Sequence, residues 1–323
     1  MIQDGELRTL GKTSLRVSQI GLGLAALGRP GYINLAHGED LHGQTDVDAM
    51  ERNAHEVLDA AFDAGVRYFD AARSYGKAEA FLASWLERRG LRPSEVTVGS
   101  KWGYTYTAGW RVDADPAEVK DLSSATLRRQ FAESRALLGP HLHLYQIHSA
   151  TIESGVLEDR EVLEELRRLR EEGLAIGVSV TGPEQPETIR RALEVGGFHT
   201  VQATWNLLER SAGPALEEAH TAGLGAIVKE VLANGRLTRR GGDSLLTKVA
   251  AERGTTPDAL AFAAVLAQPW ADVALSGATT VEQLQSNLAA LEVDYDAELD
   301  RRLASLVEES GRYWSTRASL PWN

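Results

Sequence analysis

The chain contains no cysteine among its 323 residues. That absence excludes a disulfide framework and any metal site built on thiolates. Basic residues are also few, with 34 Lys and Arg against 46 Asp and Glu, which gives a formal net charge of −12. A surface of that sign repels nucleic-acid phosphates and anionic lipid, so we expect neither partner. Any anionic ligand must therefore be held by a local basic or backbone-amide site.

Long apolar runs are missing as well. No run reaches the roughly 20 residues needed to span a bilayer, and residues 1–6 have neither the basic nor the apolar region of a signal peptide. The glycine-rich loop of Rossmann folds is absent, and no His or acidic residues show the spacing of a metal motif. We therefore expect a cytoplasmic protein without a metal. Its composition, 43% hydrophobic and 25% charged, is that of an ordinary globular chain.

What is present is a regular alternation of short β-type runs with amphipathic helical stretches. Strands followed by crossover helices pair in parallel, and eight such units close into a (β/α)8 TIM barrel. The sequence thus predicts one α/β domain over 1–323, with an N-terminal hairpin plug at 6–17, a barrel at 17–292 and a C-terminal helix and tail at 293–323. The predicted strands are 17–23, 67–71, 97–102, 142–148, 175–180, 200–205, 225–231 and 272–277, and the predicted helices are 47–64, 78–89, 123–138, 159–172, 186–195, 214–222, 257–267, 281–291 and 297–309.

Two predicted loops, 24–46 and 104–122, are long for a barrel and leave its carboxyl end. Loops of that kind wall substrate pockets. The candidates to contact a substrate are Trp102 and Tyr104, which suit an apolar wall, and Tyr32, which suits a polar contact. The tail 311–323 is also rich in aromatic residues, which suits packing on the barrel, capping of the pocket or contact with another subunit. The question of whether the protein forms an oligomer therefore stays open.

Four polar residues lie at the carboxyl ends of the second, third and fourth predicted strands, namely Asp70, Tyr75, Lys101 and His148. Barrel enzymes place their chemistry at that end. Tyr75 can protonate a carbonyl oxygen if a cation lowers its pKa from about 10. Lys101 is the candidate cation and Asp70 its counter-charge. His148 is the candidate to orient the carbonyl through a hydrogen bond.

These four residues resemble the catalytic tetrad of the aldo-keto reductases. The segments LGKTSLRVSQIGLG at 10–23 and FDAARSYG at 69–76 are similar to the N-terminal and Asp-to-Tyr motifs of that family. The resemblance covers roughly residues 6–292. It implies an oxidoreductase that transfers hydride between NADP(H) or NAD(H) and a carbonyl or alcohol substrate, with Tyr75 as general acid or base.

The resemblance also implies which residues hold the cofactor. The segment SGATTVEQLQSN at 276–287 resembles the adenosine-phosphate motif of the family, and residues 229–237 resemble its pyrophosphate loop. Trp205 offers an aromatic face to the nicotinamide or packs inside the barrel. The implied contacts are Ser179, Gln202, Trp205, Lys229, Val231, Leu232, Asn234, Gly235, Arg236, Gly277, Ala278, Thr279, Gln283 and Asn287.

One departure from the family pattern concerns the 2′-phosphate of NADP(H). Thr279 and Gln283 stand where family members have Arg. A neutral side chain binds phosphate more weakly than a bidentate guanidinium does. NADP(H) is the favoured cofactor on the family pattern, and NAD(H) stays open.

Three other functions also stay open at this level. The missing Arg suits an NAD-dependent sugar or alcohol dehydrogenase of the same fold. A barrel of this kind can serve as a non-catalytic regulator that binds the cofactor. Lys101 at a strand end can also form a Schiff base in an isomerase or aldolase. The sequence leaves open whether the substrate is a small carbonyl compound or a sugar.

Overall fold

The computed structural model describes residues 7–323, so the signal-peptide expectation for 1–6 and Glu6 of the predicted hairpin lie outside the described residues. Eight parallel strands close into a barrel in their order along the chain, which confirms the predicted fold. The barrel consists of the third to fifth and the eighth to twelfth strands. The strands are β1 (Arg8–Thr9), β2 (Arg16–Val17), β3 (Ile20–Gly23), β4 (Tyr68–Asp70), β5 (Thr97–Trp102), β6 (Tyr104–Tyr106), β7 (Glu118–Lys120), β8 (Leu142–Ala150), β9 (Ala175–Val180), β10 (Thr200–Thr204), β11 (Gly225–Lys229) and β12 (Val273–Ser276).

The barrel strands are apolar on both faces because one face fills the barrel and the other packs against helices. β5, β9 and β10 are buried along their whole length. β12 closes the barrel by pairing with β3, and this pairing places Leu275 opposite Gly21. The carboxyl ends of all eight strands consequently meet at one end of the barrel.

Helices join the strands and cover the outside of the barrel. Several begin at a side-chain cap, as at Asp46, which accepts a bond from the backbone N–H of Ala49 at 2.9 Å. The helix predicted over 159–172 buries an apolar stripe that includes Val162, Leu166 and Leu169. The helices are α1 (His37–Asp40), α2 (Val47–Asp63), α3 (Ala78–Arg89), α4 (Ser124–Leu138), α5 (Arg160–Glu171), α6 (Gln185–Val195), α7 (Gly213–Ala222), α8 (Ser244–Glu252), α9 (Pro257–Leu266), α10 (Val281–Leu288), α11 (Ala297–Leu303) and α12 (Ser310–Ala318).

The hairpin β1–β2 closes the amino-terminal end of the barrel, as predicted. Leu10 and Val17 pack there in an apolar layer with side chains from the barrel interior. Gly11 in the hairpin turn has a φ of +54°, and a Cβ on it would lie 2.3 Å from the backbone nitrogen of Gly225. Glycine is therefore required for the turn to sit against the barrel.

The structure corrects the prediction in several places, one of which is the short helix α1 within the predicted loop 24–46. α8 was not predicted, and the loop 104–122 contains the antiparallel pair β6–β7. The predicted helix 281–291 ends at Leu288 and continues as a 3-10 turn. The predicted helix 297–309 ends at Leu303, and the predicted tail contains α12. α12 forms despite Gly311 because the Glu309 side chain caps its first turn and because Tyr313 and Trp314 are buried.

Three segments meet above the carboxyl end of the barrel. The loop after β3 pairs with the chain end, where the backbone N–H of Tyr32 donates to the carbonyl of Asn323 at 3.2 Å and Asn323 donates back at 3.3 Å. Arg29 of the same loop forms an ion pair at 2.8 Å with Glu118 on β7. Within residues 7–323, no helix combines the length and the apolar character that crossing a membrane requires.

Candidate active site

The carboxyl ends of β4, β5 and β8 bring the four predicted catalytic side chains together. Asp70 ends β4, Lys101 is the penultimate residue of β5, and His148 lies near the end of β8. Tyr75 follows in the loop after β4. The next residue, Gly76, has a φ of +59°, and a Cβ on it would lie 2.4 Å from a backbone oxygen of the loop after β3. Glycine here lets the two loops pack closely and fixes the position of Tyr75.

Asp70 is held by donors from four side chains. Its Oδ2 accepts bonds from the Tyr68 hydroxyl at 2.9 Å, the Gln202 amide at 3.0 Å and the Gln146 amide at 3.3 Å. Its Oδ1 accepts a bond from Lys101 Nζ. A buried carboxylate is stable only with such partners. The carboxylate therefore has a fixed orientation at the floor of the site.

Lys101 is completely buried and pairs with Asp70. Its Nζ also donates to the backbone carbonyl of Ala71 at 3.1 Å. The same nitrogen lies 5.0 Å from the centroid of the Tyr75 ring, within the range of a cation–π contact. The ammonium thus contacts both the Asp70 carboxylate and the aromatic ring of Tyr75.

The net shift of the Tyr75 pKa is opposite to the one expected from the sequence. Burial and the charge of Asp70 raise the pKa of Tyr75 above its ordinary value of 10.0, while Arg29 acts to lower it. The expected lowering by a nearby cation is outweighed because the phenol is withdrawn from water. Tyr75 consequently remains protonated at neutral pH, which is the state that a proton donor needs.

His148 is the neighbour of the Tyr75 hydroxyl. Its Nε2 lies 3.4 Å from that oxygen, and the two rings meet edge to face. Burial and the charge of Lys101 hold the pKa of His148 well below its ordinary value of 6.5. The imidazole is therefore neutral at pH 7 and can share a substrate oxygen with the phenol.

A cavity of about 750 Å³ opens from these side chains across the carboxyl end of the barrel. This volume lies in the range of cofactor and substrate sites. At one end the cavity is lined by Asp70, Tyr75 and His148, and it extends to Gln283 and Asn287 of α10 at the other. Lys101 lies beneath the floor and does not line it.

The aromatic wall near Tyr75 contains two of the three predicted substrate residues. Tyr32 and Tyr104 line the cavity, whereas Trp102 is fully buried and does not line it. The guanidinium of Arg29 lies 4.5 Å from the ring centroid of Trp322 and 5.5 Å from that of Tyr32. This end of the cavity therefore combines aromatic faces with charge.

A second charged group lines the cavity at the end of β11. Glu230 has a left-handed φ of +54° and accepts bonds of 2.6 to 2.9 Å from the guanidinium of Arg317 on α12. Burial acts to raise the pKa of Glu230, but Arg317 and Lys229 lower it to about 2. Burial lowers the pKa of Lys229 to about 8, although Glu230 opposes that shift.

Ten of the residues predicted to bind the cofactor share this cavity. They come from the ends of β10, β11 and β12, from the loop after β11 and from α10. They are Gln202, Lys229, Val231, Leu232, Asn234, Gly235, Gly277, Ala278, Gln283 and Asn287.

Four of the predicted cofactor residues lie behind the cavity wall. Ser179 is buried in β9 near the backbone N–H of Ser149. Trp205 packs edge to face on Trp270 with ring centroids 5.7 Å apart, so it fills the space between barrel and helices. Arg236 pairs with Glu308, and Thr279 is fully buried.

The cavity carries features that fit a bound dinucleotide. A Cβ on Gly277 would meet no atom within 4 Å, so the backbone there is open to a ligand. The buried Oδ1 atoms of Asn234 and Asn287 have no hydrogen-bond partner among the described residues. α10 begins beside Gly277, and a helix N-terminus favours phosphate. These residues together offer both an opening and unused hydrogen-bonding groups.

Several residues of the cavity wall were not predicted. Arg29, Glu118, Glu230, Arg317 and Trp322 all line it. Glu230 lay inside the segment 229–237 that had been singled out. Trp322 lay in the aromatic tail, for which capping of the pocket was one of three alternatives.

Comparison with known proteins agrees with this geometry. Residues 19–308 match the aldo/keto reductase family, and the chain belongs to that family. Members are oxidoreductases that use nicotinamide cofactors, so the chain is an NAD(P)-dependent oxidoreductase.

Individual relatives are similar over nearly their whole length. The chain is 27% identical to an uncharacterised oxidoreductase, YrpG, of Bacillus subtilis, over 95% of this chain and 97% of YrpG. It is 25% identical to the NADH-specific methylglyoxal reductase of Escherichia coli, over 93% of this chain and 98% of that enzyme. Among solved structures, the holo form of aldo-keto reductase AKR11C1 from Bacillus halodurans has a TM-score of 0.72 at 22% identity, with 94% of this chain and 97% of that chain covered.

Proposed function

We propose that this protein transfers hydride between a nicotinamide dinucleotide and a small carbonyl or alcohol substrate, with Tyr75 as general acid in reduction and general base in oxidation. The observation that carries the proposal is the Tyr75 hydroxyl at the cavity wall, 3.4 Å from His148 Nε2 and backed by the buried Lys101–Asp70 pair. A lone tyrosine in a cavity has many explanations, but this combination is suited to proton transfer.

Each residue of the site has a separate role in this proposal. A bound nicotinamide dinucleotide supplies or accepts the hydride. Tyr75 gives its proton to the substrate oxygen as negative charge develops there, and His148 hydrogen-bonds the same oxygen and orients it. Lys101 stabilises the phenolate left on Tyr75, and Asp70 holds Lys101 in place. Gln202, Asn234, Gly277 and Asn287 are the residues that would hold the dinucleotide.

The substrate end of the cavity supports a small polar molecule. Two ion pairs supply fixed hydrogen-bond donors and acceptors there, Arg29–Glu118 and Arg317–Glu230. Apolar faces come from three aromatic side chains, Tyr32, Tyr104 and Trp322. The name of the E. coli relative supports a small aldehyde or ketone. The net charge of −12 supports a protein that binds neither nucleic acid nor anionic membrane.

A sugar or alcohol dehydrogenase working with NAD is the second candidate. The two ion pairs in the wall favour it, because paired charges bind hydroxyl groups without demanding a charged substrate. The Schiff-base alternative loses support, since Lys101 is paired with Asp70 beneath the cavity floor. Reaction rates measured in both directions with aldehydes, ketones and sugars distinguish the two oxidoreductase candidates.

Tyr75→Phe tests the proposal directly. It keeps the ring and removes the proton, so we expect kcat to fall by about 10²- to 10⁴-fold. The affinity for the dinucleotide, measured by calorimetric titration, should be nearly unchanged. Tyr295→Phe, on a tyrosine that bonds Asp300 and does not line the cavity, is the matched control. Unchanged turnover in Tyr75→Phe, or binding of neither NADH nor NADPH by the unmutated protein, would contradict the proposal.

A further inference from the structure

The far end of the cavity is organised around a carboxylate that sequence reasoning did not single out. Asp40 of α1 accepts bonds from both terminal nitrogens of Arg240, at 2.5 and 2.9 Å. It also accepts a bond at 2.8 Å from the Gln283 amide of α10. Only 5% of the Asp40 side chain is exposed. Arg240 and Gln283 line the cavity, and Asp40 lies directly behind them.

These contacts occupy the polar groups of Gln283 and Arg240, the two residues that line the cavity here. Gln283 donates to Asp40, and its Oε1 accepts from the backbone N–H of Thr279 at 2.9 Å. Arg240 forms a bidentate pair with Asp40 and also donates to the backbone carbonyl of Leu35 at 3.2 Å. A guanidinium in a bidentate pair has little charge left for another anion. This end of the cavity thus contains an arginine whose charge is already neutralised.

The position of this group decides which part of a dinucleotide it meets. Hydride exchange must take place beside Tyr75 and His148. A dinucleotide extended through the same cavity therefore places its other nucleoside near Gln283 and Asn287. NAD(H) and NADP(H) differ in the ribose of that nucleoside, where NADP(H) carries a phosphate in place of a hydroxyl.

We infer that Asp40, acting through Arg240 and Gln283, makes this protein select the dinucleotide without the 2′-phosphate, NAD(H). The inference rests on the proposed function. A phosphate at this end would face two carboxylates, Asp258 and Glu282, against one lining arginine, Arg239. It would have to compete with Asp40 for the other arginine, Arg240. A ribose hydroxyl meets neither obstacle. The inference departs from the sequence expectation, which favoured NADP(H) on the family pattern.

Calorimetric titration with NADH and NADPH tests this assignment. The unmutated protein should bind NADH at least tenfold more tightly than NADPH. Asp40→Asn keeps the shape of the side chain and releases the charge of Arg240, so NADPH affinity should rise at least tenfold while NADH affinity stays within about threefold. Asp63→Asn is the matched control, because Asp63 pairs with Arg89 on the outer surface. It should leave the NADH-to-NADPH ratio unchanged.

Variants of Arg240 show how Asp40 acts. In Asp40→Asn/Arg240→Gln the gain in NADPH affinity should disappear, because no guanidinium is left to be released. Arg240→Gln alone leaves Asp40 uncompensated and should widen the preference for NADH. The single variant Arg240→Gln therefore tests the inference even if Asp40→Asn does not fold.

The outcomes separate this inference from the proposed function. Equal or tighter binding of NADPH by the unmutated protein overturns the inference and leaves the proposed function standing. An unchanged ratio in Asp40→Asn overturns the role of Asp40. Binding of neither dinucleotide overturns the proposed function itself.

Discussion

The two ends of the barrel are built differently. At the amino-terminal end, the hairpin β1–β2 seals an apolar layer that includes Leu10, Val17 and Ile227. At the carboxyl end, polar groups are buried, ion-paired or left without a partner among the described residues, as for His148 Nδ1 and Asn287 Oδ1. One end gains stability from close packing, and the other keeps unused hydrogen-bonding capacity for a ligand.

The two ends of the barrel also differ in backbone strain. Every non-glycine residue with a positive φ in residues 7–323 lies in a loop or strand end at the carboxyl side of the barrel. Such conformations cost of order 1–3 kcal/mol each, and they cluster where function over-determines the structure. This protein therefore concentrates its strained non-glycine residues at the carboxyl end of the barrel, and Ser149, Glu230 and Asn234 among them line the cavity. The residues are Ala36, His42, Trp110, Ser149, Glu230, Ala233 and Asn234.

Removing the buried cation at the carboxyl end should have the largest effect. We expect Lys101→Met to lower kcat by about 10²-fold or more, because the phenolate of Tyr75 loses its stabilising charge. It also leaves Asp70 buried without its partner, which destabilises a protein by about 3–5 kcal/mol.

The double variant Asp70→Asn/Lys101→Met separates the two effects. It removes both charges, so the urea midpoint should recover while kcat remains low. If kcat recovered together with stability, Lys101 would be a structural residue only.

Loss of the ion pair between Glu230 and Arg317 should have the second-largest effect. In the folded protein the pKa of Glu230 is held at about 2, below its ordinary value of 4.5. A lowered carboxyl pKa stabilises the folded state above pH 4.5, and that stability is lost as pH falls toward 2. Glu230→Gln should therefore cost about 3 kcal/mol at pH 7 and progressively less below pH 4.

Urea unfolding of both proteins at pH 7 and pH 3 measures this difference. Glu218→Gln is the matched control, since Glu218 forms a similar bidentate pair with Arg190 on the surface. Water screens that pair, so its loss should be far smaller. Equal losses at pH 7 and pH 3 would mean that the Glu230 charge contributes nothing.

The smallest expected effect concerns the close packing of the hairpin at the amino-terminal end, which two glycine variants can test. Gly11 and Gly43 both have a positive φ, so alanine is strained at each. Only at Gly11 does the new Cβ meet backbone, whereas at Gly43 it meets no atom within 4 Å. We expect Gly11→Ala to cost about 2 kcal/mol more than Gly43→Ala in urea unfolding, with kcat unchanged in both. Equal losses would show that the hairpin seal is looser than the structure indicates.

The sequence was sufficient to predict the barrel and the meeting of the tetrad. The alternation of strands and helices fixes the barrel, and the barrel brings strand ends together. Asp70, Lys101 and His148 were placed correctly because each follows directly from the end of an apolar run. Tyr75 is five residues beyond Asp70, a distance that the short loop after β4 leaves little room to vary.

What the sequence did not predict depends on contacts between distant loops. Glu230 and Arg317 are 87 positions apart, and no periodicity links a loop to a helix in the tail. Asp40 and Arg240 are 200 positions apart. The direction of the Tyr75 pKa shift was missed for a related reason, because burial depends on loops whose packing no local pattern describes. α8 was missed within the long connection after β11.

The placement of Trp322 gives the protein an optical signal at the substrate end. Of the seven tryptophans, all within the described residues, Trp322 alone lines the cavity. It stacks on Arg29, a charged neighbour that a bound molecule would disturb. The emission of Trp322 should therefore change when a ligand fills the space beside Tyr75, above the steady background of six tryptophans packed elsewhere. Trp322→Phe should abolish that change, so fluorescence of the unlabelled protein can report when a molecule fills the space beside Tyr75.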